Sequence, residues 1–102
     1  MRGTKTKRWV NLAIQVLPEN DNGISYNLVD EAISVIAVSG YVYKVCPFET
    51  VVECTLDQAF DLIQDIHDAC AVAGALRMFT NLKIEVDFGR DVKIADKIGK
   101  YQ

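Results

Sequence analysis

No wholly apolar run in the 102-residue chain exceeds five residues, whereas a helix that crosses a bilayer needs about 20. No membrane span is expected. Proline occurs twice, histidine once and cysteine three times. An odd cysteine count builds no closed disulfide framework, and the N-terminal MRGTKTKR is followed by neither the apolar stretch nor the small-residue cleavage site of a secretory signal. Reduced thiols and a cytoplasmic location are the expectation. A Cys3His set can be written from Cys46, Cys54, Cys70 and His67. Its spacing lacks the close CxxC pair by which structural zinc sites gather their ligands, so no metal is expected and the cysteines read as small buried hydrophobes.

Positive charge is scarce outside the first residues. Arg2, Lys5, Lys7 and Arg8 are four of the 11 Lys and Arg, which leaves seven against 14 Asp and Glu and a charge of −7 from residue 9 onward. Nucleic-acid binding draws most of its affinity from phosphate neutralisation, so no nucleic-acid partner is expected. Residues 1–8 read as a basic flexible terminus. Residues 9–102 read as one domain, long enough to bury a core without disulfides.

Within that body, Val10, Leu12, Ile14 and Val16 alternate with Asn11, Ala13 and Gln15 from Trp9 to Leu17, the period of a half-buried strand. PENDNG (18–23) breaks it. Leu28, Val29, Ala32, Ile33 and Ile36 then recur at helical spacing, closed by Ser39-Gly40. Tyr41–Cys46 and Thr50–Cys54 are β-branched and aromatic runs about Pro47-Phe48-Glu49, which reads as a hairpin. Thr55-Leu56-Asp57-Gln58 has the form of a capping box. The helix it opens has an expected apolar stripe of Ala59, Phe60, Ile63, Ile66, Cys70 and Ala73, an aspartate-rich opposite face, and Gly74 at its end. Met78–Asp87 alternates again as a last strand, and Ile94, Ile98 and Tyr101 suggest a short C-terminal helix interrupted by Gly99.

The order βαββαβ closes most simply as an α+β ferredoxin-like sandwich, a four-stranded antiparallel sheet with two helices on one face. Counting the four strands along the chain, right-handed crossovers give the sheet order 4-1-3-2. The other sheet face is expected to be bare, with Asn11, Ala13, Gln15, Val51, Glu53, Asn81, Lys83 and Glu85 along its middle. These residues lack the aromatics that stack RNA bases, and PENDNG lacks the basic group of a phosphate-cradling loop. Cys70 lies one turn from His67, the only histidine, but on an apolar stripe, so nucleophilic catalysis is not expected.

The runs Leu17-Pro18, Leu28–Ile33, Ser39-Gly40, Tyr43–Glu53, Leu56-Asp57 and Thr80–Ile84 resemble the small thiamine-binding protein family over about residues 9–101. The P-x-x-T-V-x-E hairpin from Pro47 to Glu53 and the N-x-K-I of the last strand are the most specific parts. The resemblance implies a ferredoxin-like subunit that forms homodimers or homotetramers and binds thiamine or its hydroxymethylpyrimidine part without turnover, as carrier, buffer or sensor. It implies no separate cofactor. Cys54 departs from the family pattern, which has glycine after the glutamate.

An aminopyrimidine presents ring-nitrogen acceptors and an amino donor, which a carboxylate and amides complement. Glu53, Asn11, Gln15 and Asn81 are the candidates, with a hydroxyl from Thr50 and with Lys83, Pro47 and Phe48 nearby. Tyr43 and Phe48 offer aromatic faces to a thiazolium cation. Each residue also has a structural role in prospect. Lys83 would pair with Glu53 or Glu85, the amides would face water or a subunit interface, Pro47 and Phe48 would form a turn and an apolar plug, Tyr43 would pack in the core, and Trp9 would anchor a rim or an interface. The alternative function is a regulatory or enzymatic subunit using Cys46, Cys70 or His67 on the same scaffold.

Overall fold

The computed structural model describes residues 7–101. The expected basic terminus spans 1–8, and its residues 1–6 lie outside the described residues. The first strand, β1 (Trp9–Asn20), runs three residues beyond the expected end at Leu17. It turns at Asp21-Asn22 into a two-residue strand, β2 (Gly23–Ile24), that folds back on its end. Pro18 is tolerated inside β1 because its carbonyl accepts the Ser25 amide at 3.0 Å. Carbonyl and nitrogen of a strand residue face the same edge, so the missing N–H costs no bond to the strand on the opposite side.

Helix α1 (Tyr26–Ser39) starts at Ser25, whose hydroxyl accepts the Leu28 amide. It buries Leu28, Ala32 and Ile36 and ends at Gly40, whose φ of 83° only glycine adopts without strain. The hairpin β3 (Val42–Val45) and β4 (Thr50–Thr55) follows. The capping box forms as expected, Gln58 N–H donating to the Thr55 hydroxyl and Thr55 N–H to the Gln58 side chain, and opens α2 (Leu56–Val72). Gly74 at φ 112° ends it, with Ala75 N–H bonded to Cys70 O and Gly74 N–H to Ala71 O, the paired bonds of a Schellman motif. The buried stripe is Ala59, Leu62, Ile66 and Cys70. Leu62 therefore takes the place expected of Phe60, which is exposed.

Strand β5 (Arg77–Glu85) pairs antiparallel with one edge of β1, β4 pairs antiparallel with the other, and β3 pairs with β4. The four long strands are thus ordered β5-β1-β4-β3, the expected 4-1-3-2 arrangement, with β2 an addition at the end of β1. Leu12, Ile14, Val16, Val52 and Cys54 form the core with Ala32, Ile36, Ala59, Leu62, Ile66 and Cys70 of the two helices. Full burial of a side chain such as Leu12 or Ile66 contributes about 1.5–3 kcal/mol.

The expectation of a bare second sheet face is corrected. Residues after β5 return across it, with Val92 and Ile94 buried, and form α3 (Ile94–Ile98) and a 3-10 turn (Gly99–Tyr101). Asp87 accepts the Gly89 amide at 2.8 Å and Arg90 Nε at 3.3 Å, fixing the turn that starts this return and holding the Asp87 carboxyl below its ordinary range. Among the described residues no helix is long and apolar enough to cross a membrane.

Candidate functional site

Strand register defines the second face row by row. Lys44 lies opposite Val51, Val51 opposite Ala13, and Ala13 opposite Lys83. The neighbouring row reads Val42, Glu53, Asn11 and Glu85. Period-two alternation sends the side chains of both rows away from the helices. The C-terminal segment closes over the second row and leaves the first as the floor of a groove.

Hydrogen bonds to β1 and β4 hold that segment down. Asn11 Nδ2 donates to the Val92 carbonyl at 3.1 Å, and Glu53 Oε1 accepts the Ile94 amide at 2.7 Å. The Val92 amide donates to the Trp9 carbonyl at 2.9 Å, and the Trp9 amide to Asp91 Oδ1 at 2.8 Å. Lys93 Nζ sits 5.6 Å from the Trp9 ring centre, so the ring packs against its own chain's C-terminal segment. Glu85 forms an ion pair with Lys97 of α3.

The groove has a volume of about 330 Å³, at the lower end of small-ligand pockets. Ala13, Val51, Ile84, Ile94 and Ile98 supply an apolar lining, and Lys44, Lys83, Lys97, Glu49 and Glu85 its charge. Lys83 pairs with Glu49 at 3.1 Å, which corrects the expected pairing with Glu53 or Glu85. Asn11 is 5% exposed and lines the groove, and its Oδ1 is buried without a hydrogen-bond partner. The amide cannot be turned to relieve this, because the Val92 carbonyl only accepts and requires Nδ2 on its side.

Of the sequence-derived candidates, Asn11 and Lys83 meet in this groove. Glu53 shares the face but is 7% exposed, with Oε1 engaged by Ile94, so its first action is to position α3. Gln15 and Asn81 also share it and bond to each other, Asn81 Nδ2 to Gln15 Oε1 at 3.1 Å, beyond the groove lining. Thr50 is 6% exposed and opposite Ile14, so its hydroxyl faces the helices and not the groove. It lines a second cavity of about 100 Å³ with Pro47 and Phe48 at the hairpin tip. Phe48 is 82% exposed, so it is not a plug, and Tyr43 is 39% exposed at the sheet edge, so it is not a core residue. Neither aromatic lines the groove. The sequence reading missed Lys44, Glu49 and Lys97; the parity of the hairpin pointed to Lys44, but the docking of α3 had no local signal.

Of the thiol and imidazole groups of the alternative reading, Cys46 is half-buried and lines the groove, whereas Cys70 and His67 are occupied elsewhere. Burial pushes the Cys54 thiol up to about 11. Burial, with the Glu31 carboxylate adding to it, raises Cys70, whose Sγ donates to the Leu28 carbonyl at 3.5 Å. His67 Nδ1 lies 2.7 Å from the Ile63 carbonyl and therefore carries a proton, while Nε2 meets the Thr80 hydroxyl at 2.8 Å. Among the described residues no three His, Cys, Asp or Glu side chains gather as metal ligands.

Fold and groove together define the class: a ferredoxin-like α+β protein with a ligand-sized groove on the sheet face opposite its two long helices. The chain belongs to the thiamine-binding protein family, whose model matches residues 8–102. It is 30% identical over 92 residues to the UPF0045 protein of Clostridium perfringens, covering 90% of this chain and 96% of that one. The solved structure of the DUF77 domain from Bacillus cereus superposes with a TM-score of 0.88 at 32% identity, covering 98% and 96% of the two chains. A Thermotoga maritima protein, described as a candidate for thiamine biosynthesis or salvage, superposes with a TM-score of 0.83 at 28% identity, covering 92% and 99%. Membership ties this chain to a thiamine-related role with a small-molecule ligand.

Proposed function

We propose that the chain binds thiamine or its hydroxymethylpyrimidine moiety in the groove between β1, β3, β4, β5 and α3, without turnover, as a carrier, buffer or sensor in the cytoplasm. The observation that carries this reading is the orphaned, buried Oδ1 of Asn11, a residue that lines the groove. A buried acceptor left unpaired costs about 1–3 kcal/mol, and the exocyclic amino group of an aminopyrimidine supplies the missing donor. Ala13 and Val51 offer a flat apolar floor for the ring, and the ion pairs at the rim tolerate water. The raised Cys54 and Cys70 thiols are poor nucleophiles near neutral pH, which disfavours thiol chemistry at those two positions; Cys46, which lines the groove, is the thiol left to the alternative reading.

Among the described residues β3 and β5 are left as free sheet edges, which suits self-association into a homodimer or homotetramer. Thermal unfolding with thiamine, its phosphates and hydroxymethylpyrimidine tests the binding. A ligand at 100 times its dissociation constant adds about 2.7 kcal/mol of stability. No shift with any of them at millimolar concentration overturns the reading.

A further inference from the structure

We propose that, within this pyrimidine-binding reading, the groove selects a phosphate monoester of the pyrimidine over the thiazolium-bearing cation, with Lys44 and Lys83 closing on the phosphate from opposite sides. Both lysines stand at the ends of one cross-strand row, with Val51 and Ala13 between them. Three interstrand spacings separate their backbones by roughly 14 Å. Extended lysine stems reach roughly 6 Å each, so the two ammonium groups can meet one tetrahedral anion above the two-residue floor.

The charge balance favours an anion. Among the described residues three lysines line the groove, Lys44, Lys83 and Lys97, against Glu49 and Glu85. Glu49 is paired with Lys83 and Glu85 with Lys97, while Lys44 makes no ion pair among the described residues. A surplus cation is thus set in the groove of a chain whose formal net charge is −3. The Lys83 side chain is 75% exposed in its pair with Glu49, and a doubly charged phosphate competes well for that ammonium. Among the described residues no aromatic ring lines the groove, and both lining carboxylates already face lysines, so a thiazolium cation meets neither a ring face nor an unpaired carboxylate among them. The pyrimidine ring would meet Asn11 while its 5-substituent carries the phosphate toward the lysine row.

Calorimetric titration of the full chain at about 50 mM salt, with hydroxymethylpyrimidine, its monophosphate and thiamine as separate titrants, tests this. The monophosphate should bind at least about tenfold more tightly than the alcohol, a ratio that shrinks as salt rises. Lys44→Met should cut the ratio below about threefold, and Lys44→Arg should keep most of it, because the ratio follows the cation and not the fold. A ratio near one in the native chain, or a ratio unchanged in Lys44→Met, overturns the phosphate assignment while leaving pyrimidine binding intact. Failure of all three titrants to bind overturns the pyrimidine reading and this proposal with it.

Discussion

The carboxylate of Glu53 on β4 accepts the backbone amide of Ile94 at the start of α3, 2.7 Å away and 41 residues on in the chain. Lys93, the residue before α3, makes no side-chain cap of its own, so a strand residue supplies the acceptor that a local Ser or Asp usually provides. Through this contact a residue read as a ligand contact acts first as a tie for the wall of the groove.

Replacing Glu53 by Met leaves the buried Ile94 amide without an acceptor. The expected loss is about 1–3 kcal/mol in urea unfolding, with faster hydrogen exchange at Val92 and Ile94 than at Leu12 and Val52. Glu53→Gln keeps an acceptor oxygen and should cost about 1 kcal/mol. Equal, small losses in both variants would remove Glu53 from this role.

Asn11→Leu removes an unpaired acceptor together with the donor to Val92. The two effects oppose each other, so stability should move by no more than about 1 kcal/mol. Pyrimidine affinity should fall about tenfold or more, read by calorimetry, because the ligand's amino group loses its partner on binding. An unchanged affinity would place the ligand elsewhere.

Thr55→Ala removes the hydroxyl that accepts the Gln58 amide and leaves the bond from the Thr55 amide to the Gln58 side chain in place. A loss of about 1 kcal/mol is expected in chemical unfolding, with ligand affinity unaltered, since α2 lies on the far side of the sheet from the groove.

Alkaline pH should weaken the fold through Cys54. Its folded-state value of about 11 exceeds the ordinary 9.0, so the native state binds more protons than the unfolded chain between these values. The stabilisation is complete below pH 9 and is lost as pH rises through 11, a fall of about 2–3 kcal/mol. Cys54→Ala lowers stability near neutral pH by leaving a small void, and should flatten this slope. Parallel slopes in the two proteins would contradict the assignment.

Self-association through the free β3 and β5 edges should appear in sedimentation velocity as a species larger than the 11.4 kDa chain at micromolar concentration. A single monomeric species would discount the assembly.

The helix caps, the hairpin and the four-strand order were legible because each rests on short-range rules. Ser39-Gly40 and Thr55–Gln58 act over a few residues, and the alternation of Leu12, Ile14 and Val16 states which side is buried. The same alternation placed Asn11, Glu53, Asn81 and Lys83 on one face, as the register confirms. It also implied that Thr50 shares the inward parity of Val52 and Cys54, against its nomination as a ligand contact. Phe60 and Leu62 could not be separated by a wheel alone, since both lie within the wide apolar arc of α2 and only packing against the sheet decides between them.

Local periodicity thus determined the elements, their faces and their order, because propensity, capping and side-chain alternation depend on neighbours in the chain. Tertiary structure decided which of the exposed polar residues meet. The return of Val92 and Ile94 over Asn11 and Glu53 turns a flat face into a groove, occupies Glu53 and orphans one oxygen of Asn11. Such pairings join residues 41 and 81 positions apart. Their energies come from desolvation and hydrogen bonding between segments that carry no periodic signal of their meeting, so they exist only once the whole chain has folded.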